Sequence, residues 1–323
     1  MKPAMKPLFA FLTVAAISAS ALAQDYPVRP IRFIVPFTAG GGTDLIARTV
    51  ANKLTQALGQ PFVVDNRTGA SGVIGTSATA KAPPDGYTIM IATPSFTVNP
   101  SLMSKIPYDA IKDFAPISLI ARSPHLLAVN PALPVKSVKE LVALAKSQAT
   151  PLTFSSGSVG GSSHLGGELF SSFAGIKMVH VPYKGTGEAA LAVVSGTVSL
   201  AFLDVQTMLP LIKSGRLRGI ALTSTARSSV APELPTVAES GYPDFQSGLW
   251  YGLLAPAGTP PNIIARLNAE VVKIMQSPDM RKTLSSEGSE AVGSTPEAFA
   301  EVIKTEIPRW SKLVKEVGIA PTN

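Results

Sequence analysis

The sequence predicts an α/β protein in which two domains, each built on a parallel-dominated sheet flanked by helices, enclose a cleft. Strand and helix patterns alternate from residue 31 onward, the alternation restarts near residue 152, and long apolar stretches at 114–130 and 248–254 connect the two series. Alternating strands and helices form parallel sheets covered by helices. Two such series therefore indicate two domains of similar architecture.

The first series contains a clear helical period, because Ile46, Val50 and Leu54 recur every four residues. Gly59 is expected to end this helix, since glycine readily adopts the left-handed conformation of a helix C-terminus. The elements predicted for this series are strands at 31–37, 62–65 and 87–92 and helices at 43–58 and 72–80.

The second series follows Ser137-Val138-Lys139-Glu140, a capping box that predicts a helix start. Leu165, Leu169 and Phe173 share one face of a later predicted helix. The elements predicted here are helices at 137–146, from 164 onward and at 188–195, and strands at 152–155, 177–181 and 198–203. Helices starting at Pro260-Pro261 and Thr295-Pro296 finish the chain.

The two apolar connections define the predicted domain boundaries. Residues 24–123 together with 250–323 form domain 1, and residues 124–249 form domain 2, with the first crossing at Ser123-Pro124. Two crossing segments make a hinge rather than one flexible linker. Because ligands of open α/β sheets bind beyond the carboxyl ends of the strands, the cleft is expected between the domains.

Residues 1–23 have the pattern of a secretory signal peptide. Lys2 and Lys6 precede an apolar run, and Ala21-Leu22-Ala23 forms a small-x-small cleavage site. A transmembrane anchor is the alternative, but the run is shorter than the roughly 20 apolar residues that span a bilayer. We therefore predict export, cleavage after Ala23 and a mature chain that does not span the membrane.

Composition excludes several classes of function. The 323-residue chain carries a formal charge of +7, yet no five-residue window is dominated by Lys or Arg, so nucleic-acid binding is not expected. The chain has no cysteine, which excludes disulfides, thiol catalysis and thiolate metal sites. Stability has to come from apolar cores.

A glycine-rich loop between the first predicted strand and helix is the strongest local signal of a binding site. Gly40-Gly41-Gly42 leads into Thr43-Asp44 at the helix start. The first N–H groups of a helix have no partner within it and carry partial positive charge, so glycines that admit a ligand create an anion site. The alternative is a tight turn in which Thr43 or Asp44 caps the helix.

A second loop repeats this arrangement as Ser156-Gly157-Ser158-Val159-Gly160-Gly161-Ser162-Ser163, before a helix that begins near His164. In this interpretation the two loops face each other across the cleft. A flexible hydroxyl-rich loop with Ser162 or Ser163 as the helix cap is an open alternative for this segment. His164 either contacts the ligand or completes the cap, and no partners at metal-ligand spacing accompany it.

Common catalytic and cofactor motifs are missing from the sequence. Neither Ser158 nor Ser162 fits the G-x-S-x-G elbow of hydrolases. Leu45 occupies the place of the third glycine of a dinucleotide fingerprint, so no cofactor and no metal are expected. Asp204 ends the apolar run 198–203, where it either holds a ligand ammonium group or a water, or caps the next helix.

Longer motifs extend from the start of the mature chain to residue 260: Tyr26-Pro27-Val28-Arg29-Pro30-Ile31, Pro36-Phe37-Thr38-Ala39-Gly40-Gly41-Gly42-Thr43-Asp44, Gln60-Pro61-Phe62-Val63-Val64-Asp65-Asn66-Arg67, Pro84-Asp85-Gly86-Tyr87-Thr88, His180-Val181-Pro182-Tyr183-Lys184-Gly185, Leu234-Pro235-Thr236-Val237-Ala238-Glu239 and Ala255-Pro256-Ala257-Gly258-Thr259-Pro260. Together they resemble the tripartite tricarboxylate transporter receptor family, also called Bug receptors. The resemblance implies a two-domain periplasmic binding protein fold, type II-like, with the ligand cleft between the domains.

The resemblance also implies how a ligand is held, mainly by backbone N–H groups and ordered waters around its carboxylate. The matching positions are Phe37, Ala39, Gly40, Gly42, Thr43 and Asp44 in the first domain and Ser158, Gly160, Gly161 and His164 in the second, with Asp204 near the other end of the ligand and Thr93 as a further candidate.

The function implied by the resemblance is that of a periplasmic receptor and not of an enzyme. Such a receptor captures a small carboxylate solute and delivers it to membrane transporter subunits of the tripartite tricarboxylate type. Two alternatives are a secreted hydrolase or isomerase of small organic acids and a periplasmic partner of a membrane sensor.

Overall fold

The structure is a computed structural model that describes residues 26–228, 231–286 and 288–319. The predicted signal peptide at 1–23 and its cleavage site near Ala23 lie outside these residues. Over the described ranges, no helix combines the length and the apolar character needed to cross a membrane. The α/β fold predicted from the alternation of strands and helices is confirmed.

Strands and helices follow one another nearly as the periodicities predict. The strands are β1 (Ile31–Val35), β2 (Phe62–Asn66), β3 (Thr88–Ala92), β4 (Phe114–Val129), β5 (Leu152–Ser156), β6 (Met178–Pro182), β7 (Leu200–Asp204), β8 (Arg218–Leu222), β9 (Gly248–Pro256) and β10 (Glu290–Ala291). The helices are α1 (Gly42–Leu58), α2 (Val73–Ala80), α3 (Ser95–Leu102), α4 (Val138–Ser147), α5 (Ser162–Ala174), α6 (Thr186–Val194), α7 (Val205–Lys213), α8 (Pro261–Gln276), α9 (Pro278–Ser286) and α10 (Pro296–Glu316).

The strands of the described residues form one sheet in the order β2-β1-β3-β9-β4-β7-β5-β6, and β8 and β10 also pair with β4. Pairing is parallel at both ends, where β1 lies between β2 and β3 and β5 lies between β6 and β7. In the centre, β4 and β9 are antiparallel to each other and to their outer neighbours. We call the β1–β3 end the first half of the molecule and the β5–β7 end the second half.

The long apolar stretch predicted to connect the two parts is β4, a single strand of 16 residues. Its pairing with β9 runs to Pro124, opposite Gly248, and its pairing with β7 starts at His125, opposite Asp204. Proline has no N–H to donate to a sheet. Pro124 therefore lies where one pairing ends and the other begins, and β4 passes from one half to the other without a loop.

Separate apolar cores stabilise the two halves. Phe33 and Leu253 are fully buried in the first half and Phe154 in the second. The last helix, α10, contributes to both, because Phe299 packs in the first half and Trp310 in the core of the second. The domain boundaries given above stay a prediction.

Two local details differ from the sequence expectations. In α5, Phe173 is 39% exposed, whereas Phe170 is fully buried and packs 5.2 Å from the ring of Phe202. The core-facing surface of this helix is therefore shifted toward Phe170. At the start of α4, the hydroxyl of Ser137 accepts from the N–H of Glu140, but the Glu140 carboxylate accepts from the N–H of Lys136 rather than from that of Ser137.

Candidate ligand-binding cleft

Two cavities, of about 360 and 430 Å³, lie between the two halves. Pro94, Asn99 and Leu102 line the first of them, and His125, Asp204 and Tyr251 line the second. We call them the α3 cavity and the Asp204 cavity. Both are lined by Thr43, Ser162, Ser163, Thr186 and Leu249, which we call the cleft junction.

The first glycine-rich loop leaves the start of α1 without a side-chain cap. Its N-cap residue, Gly41, is extended with φ −78° and ψ 165°, and the first helical hydrogen bond joins the N–H of Leu45 to the carbonyl of Gly41 at 3.0 Å. Within the described residues, the N–H groups of Gly42, Thr43 and Asp44 have no partner. They are the unpaired donors that an anion can use.

Asp44 holds this loop in place from behind. Its carboxylate accepts from the N–H of Gly40 at 2.8 Å, from Arg48 Nε at 2.9 Å and from Asn66 Nδ2 at 2.9 Å. Burial favours the neutral carboxyl group, but these hydrogen bonds and the charge of Arg48 outweigh it and hold the pKa of Asp44 below its usual value. Gly40 has a φ of +79°, a conformation that favours glycine.

The second loop has the same backbone geometry. Its N-cap, Gly161, has φ −71° and ψ 166°, and the N–H of Leu165 bonds to its carbonyl at 3.0 Å. Gly160 has a φ of +72°, and its N–H is taken at 2.9 Å by Nδ1 of His164. Among the described residues, the N–H groups of Ser162, Ser163 and His164 have no partner.

His164 is buried beneath the second loop, with only 4% of its surface exposed. Its ring stacks on that of His180 with 3.7 Å between centroids, and Nε2 of His180 lies 2.6 Å from the hydroxyl of Ser156. Burial, together with the neighbouring His164, lowers the pKa of His180 to about 4. Both rings are therefore parts of the support beneath the loop.

The cleft lining carries many hydroxyl groups beside apolar surface, and contains neither Lys nor Arg among the described residues. Asp204 is the acidic side chain of the lining. One of its oxygens accepts from the hydroxyl of Thr207 at 2.5 Å, while Oδ1 is buried without a hydrogen-bond partner. His125 is fully buried, and burial lowers its pKa to about 4, so it is neutral at pH 7.

Comparison with known proteins places this geometry in a family. The sequence profile of the family described as "Tripartite tricarboxylate transporter family receptor" matches residues 46–319. Protein BugT of Bordetella pertussis is 40% identical over 310 residues, which cover 95% of this chain and 95% of that protein. The chain belongs to this receptor family. The family predicted from the sequence motifs is thereby confirmed.

Solved structures of similar proteins agree with this assignment. R. palustris Rpa4515 with adipate is 38% identical to the receptor, with a TM-score of 0.76 and coverage of 92% of this chain and 100% of that one. MatC from Rhodopseudomonas palustris with bound malate is 32% identical, with a TM-score of 0.71 and coverage of 90% and 100%. The receptor has the two-lobed binding-protein fold expected from its motifs, and its family is one of receptors rather than enzymes.

The structure brings most of the predicted ligand residues to the cleft. The residues that line the two cavities are Phe37, Gly42, Thr43, Thr93, Ser158, Gly160, Gly161 and Asp204. The residues that line neither cavity are Ala39, Gly40, Asp44 and His164. Ala39 and Gly40 are exposed, whereas Asp44 and His164 are buried. The ligand contacts of all twelve stay a prediction.

Several residues of the cleft were missed by sequence reasoning. Ser95 and Asn99 of α3 line the α3 cavity, Tyr251 lines the Asp204 cavity, and Thr186 lines both. Thr186 had a usable signal, since it follows Gly185 at the start of a helix just as Gly42 follows Gly41. Ser95 and Asn99 had none, because α3 begins after Pro94 without a glycine-rich loop.

No group of three or more His, Cys, Asp or Glu is arranged to hold a metal ion within 26–228, 231–286 and 288–319. The hydroxyls, amide groups and helix starts of the cleft are instead hydrogen-bond donors. The arrangement is suited to binding an organic anion through several neutral donors.

Proposed function

We propose that the receptor binds a small solute through its carboxylate at the cleft junction. The observation that carries this proposal is the convergence of three helix starts. Thr43 of α1, Ser162 of α5 and Thr186 of α6 all belong to the junction, and none of these helices has a side-chain cap. A carboxylate there meets unpaired N–H groups and the positive ends of three helix dipoles.

Helix starts orient the carboxylate but do not supply the whole affinity. Each contributes roughly 0.3 to 2 kcal/mol, whereas micromolar binding requires about 8 kcal/mol. The remainder comes from hydrogen bonds to the hydroxyls of the junction, from water bridges, and from removal of the site from bulk water when the two halves close. The choice between solutes therefore depends on the side chains of the two cavities.

Close contact between the halves supports this closing mechanism. A Cβ added to Gly160 would lie 2.7 Å from Cδ1 of Leu102 in α3, so the second loop rests directly on a helix of the first half. The adipate and malate bound by the two similar proteins support a carboxylate as the recognised group. Membership of a transporter receptor family supports a periplasmic receptor that delivers the solute to membrane transporter subunits.

One histidine-serine contact in the cleft resembles the arrangement that a hydrolase uses. Nε2 of His125 lies 3.3 Å from the hydroxyl of Ser162, which is a nucleophile-base distance. Behind His125, however, stands the hydroxyl of Ser247 at 3.4 Å rather than a carboxylate. A neutral hydroxyl does not stabilise an imidazolium, and burial keeps the pKa of His125 near 4. We therefore propose that the receptor returns its ligand unchanged.

A proline scan of the helix starts tests the proposal. Gly42→Pro and Ser162→Pro each remove one N–H at the first position of a helix, where proline is tolerated. The extended backbone of Gly41 and of Gly161 suits the residue before a proline. The matched controls Gly42→Ala and Ser162→Ala keep both N–H groups.

We expect a carboxylate found by a thermal-shift screen of mono-, di- and tricarboxylates to bind the proline variants about 10-fold more weakly, the effect of one lost charged hydrogen bond. Gly42→Ala should lose less affinity than Gly42→Pro, and Ser162→Ala should lose less than Ser162→Pro. Calorimetric titration measures these affinities. If both proline variants retain full affinity, the carboxylate does not lie at the helix starts.

A further inference from the structure

A small cavity of about 80 Å³ lies behind the crossing strands β4 and β9. Trp250 of β9 lines it, whereas the next residue, Tyr251, lines the cleft. Successive side chains of a strand point to opposite faces of the sheet, so the back cavity lies on the other side of β9 from Tyr251. It adjoins the cleft, because Ser123, Gly248, Leu249 and Trp310 line the back cavity and a cleft cavity alike. Arg122, which stands opposite Trp250 on β4, and Arg309 of α10 also line it.

The two arginines of the back cavity have few partners. Within the described residues, Arg122 makes no hydrogen bond or ion pair through its guanidinium. Arg309 donates one N–H to the carbonyl of Gln246 at 2.7 Å, and its guanidinium lies 5.4 Å from the ring centre of Trp310. Burial lowers the pKa of both arginines, against the opposing charge of Glu306. These are partly desolvated cations that form no ion pair within the described residues, although the side chains of Glu290, opposite Arg122 on β10, and of Glu306 also line the cavity.

The nearby carboxylate of Glu306 is engaged with other donors. It accepts from the indole N–H of Trp250 at 2.9 Å, from the hydroxyl of Thr97 at 2.7 Å and from the indole N–H of Trp310 at 3.3 Å. Neither guanidinium forms an ion pair with it among the described residues. The hydroxyl of Ser224, which also lines the cavity, is buried and has no hydrogen-bond partner.

We propose that the back cavity binds a small inorganic oxyanion, such as phosphate or sulfate, between Arg122 and Arg309 with the hydroxyl of Ser224 as a third donor. The planar fork of a guanidinium matches two oxygens of such an anion. The cavity is far smaller than the roughly 300 to 1,000 Å³ of pockets for organic ligands. It therefore selects a compact anion and not the solute of the cleft.

The chain carries its own probe for this site, because its two tryptophans, Trp250 and Trp310, both line the back cavity. Titration of the receptor with sodium phosphate or sodium sulfate, at constant ionic strength, should give a saturable change in tryptophan fluorescence. Arg122→Gln and Arg309→Gln should each weaken the anion at least about 10-fold, as expected for a lost charged hydrogen bond.

Two further variants control for folding and for general charge effects. Arg122→Lys keeps the charge and loses the fork, so its affinity should lie between those of the unchanged protein and Arg122→Gln. Arg216, which is exposed and is not among the residues lining the back cavity, gives the matched control Arg216→Gln, with unchanged binding expected.

Three results would overturn the site. A fluorescence change that rises linearly with salt indicates no binding. A saturable change that survives Arg122→Gln or Arg309→Gln places the anion elsewhere, including at the cleft helix starts. An equal loss in Arg216→Gln indicates a general effect of net charge.

Discussion

The two glycine-rich loops of the cleft have nearly the same backbone conformation but different supporting side chains, a carboxylate in the first and an imidazole in the second. In each, a glycine with positive φ donates its N–H to the side chain four residues later. In the first loop Gly40 donates to the carboxylate of Asp44, and in the second Gly160 donates to the imidazole of His164. The loop conformation therefore depends on an acceptor at that position, whatever its charge.

The side chains one helical turn further on differ as well. Asp44 pairs with Arg48 at 2.9 Å, whereas His164 faces Glu168 at 3.5 Å. Neither acceptor points into the cleft, so both leave the helix starts free for a ligand. The two loops are stabilised by the same kind of hydrogen bond, although only their glycines match in sequence.

The largest expected difference between the loops concerns these acceptors. Asp44→Leu and His164→Phe each replace an acceptor by a side chain of similar shape. Asp44 satisfies three donors, including a charged one, so we expect Asp44→Leu to cost about 3 kcal/mol of unfolding free energy. His164→Phe loses one hydrogen bond but keeps a ring against His180, at a cost of about 1 kcal/mol.

Urea unfolding followed by circular dichroism measures both values. Equal losses of unfolding free energy would show that the two acceptors stabilise the protein equally, and would contradict the expected difference between Asp44 and His164. Asp44→Asn, which retains one acceptor oxygen, serves as the intermediate control.

A smaller difference is expected for the glycines themselves. Gly40→Ala has only the strain of a positive φ, since no atom lies within 4 Å of the added Cβ, and should cost about 1 kcal/mol. Gly160→Ala has the same strain and in addition brings its Cβ to 2.7 Å from Leu102 across the cleft. We expect about 2 kcal/mol for Gly160→Ala.

Combining Gly160→Ala with Leu102→Ala separates the backbone strain at residue 160 from the close contact with Leu102. In the double variant the contact is gone, so the cost attributed to Gly160→Ala should fall to that of Gly40→Ala. A cost that is unchanged by Leu102→Ala would mean that the halves do not touch at this point in solution. Urea unfolding of the four proteins gives the comparison.

Acidification should loosen the second loop before the first. The folded state keeps His180 neutral, with its pKa lowered from 6.5 to about 4. Between about pH 4 and pH 6.5 the unfolded chain therefore binds a proton at His180 that the folded chain does not. The free energy of unfolding falls as pH decreases through this range. The pKa of Asp44 is lowered too, so its contribution persists until the pH falls below 3.8.

His180→Phe, which keeps a ring for stacking, should reduce the pH dependence of unfolding free energy in this window. Some dependence remains, because His125 also has a pKa of about 4. A His180 signal that titrates near 6.5 by NMR would contradict this account of the second loop.

Much of the fold followed from the sequence because its signals are local. The four-residue period of α1 and its closing Gly59 gave the helix end at Leu58. The stretch that forms β4 was identified from its apolar length. That it continues as one strand through Pro124 depends on its partners β9 and β7, which are distant in sequence. The buried role of Phe170 likewise depends on Phe202, which no local pattern indicates.

The site was predictable to the extent that it is made of backbone. Glycines before a helix identified both loops, because they leave N–H groups unpaired. The direction of Asp44 and His164 was not predictable, since an acceptor at that position can face a ligand or its own loop, and only burial decides. Arg122 and Arg309 had no signal at all, because the fold alone brings them together.

The central claim is that unpaired N–H groups at the helix starts of the cleft junction, above all those of α1 and α5, hold the ligand carboxylate. Amide chemical shifts, measured by NMR during titration with the carboxylate that stabilises the receptor most, test it directly. The largest changes should fall on the N–H groups of Gly42, Thr43, Ser162 and Ser163, with smaller ones at Gly40 and Gly160, whose N–H groups are already bonded. Saturable binding that leaves these four amides unmoved would contradict the account.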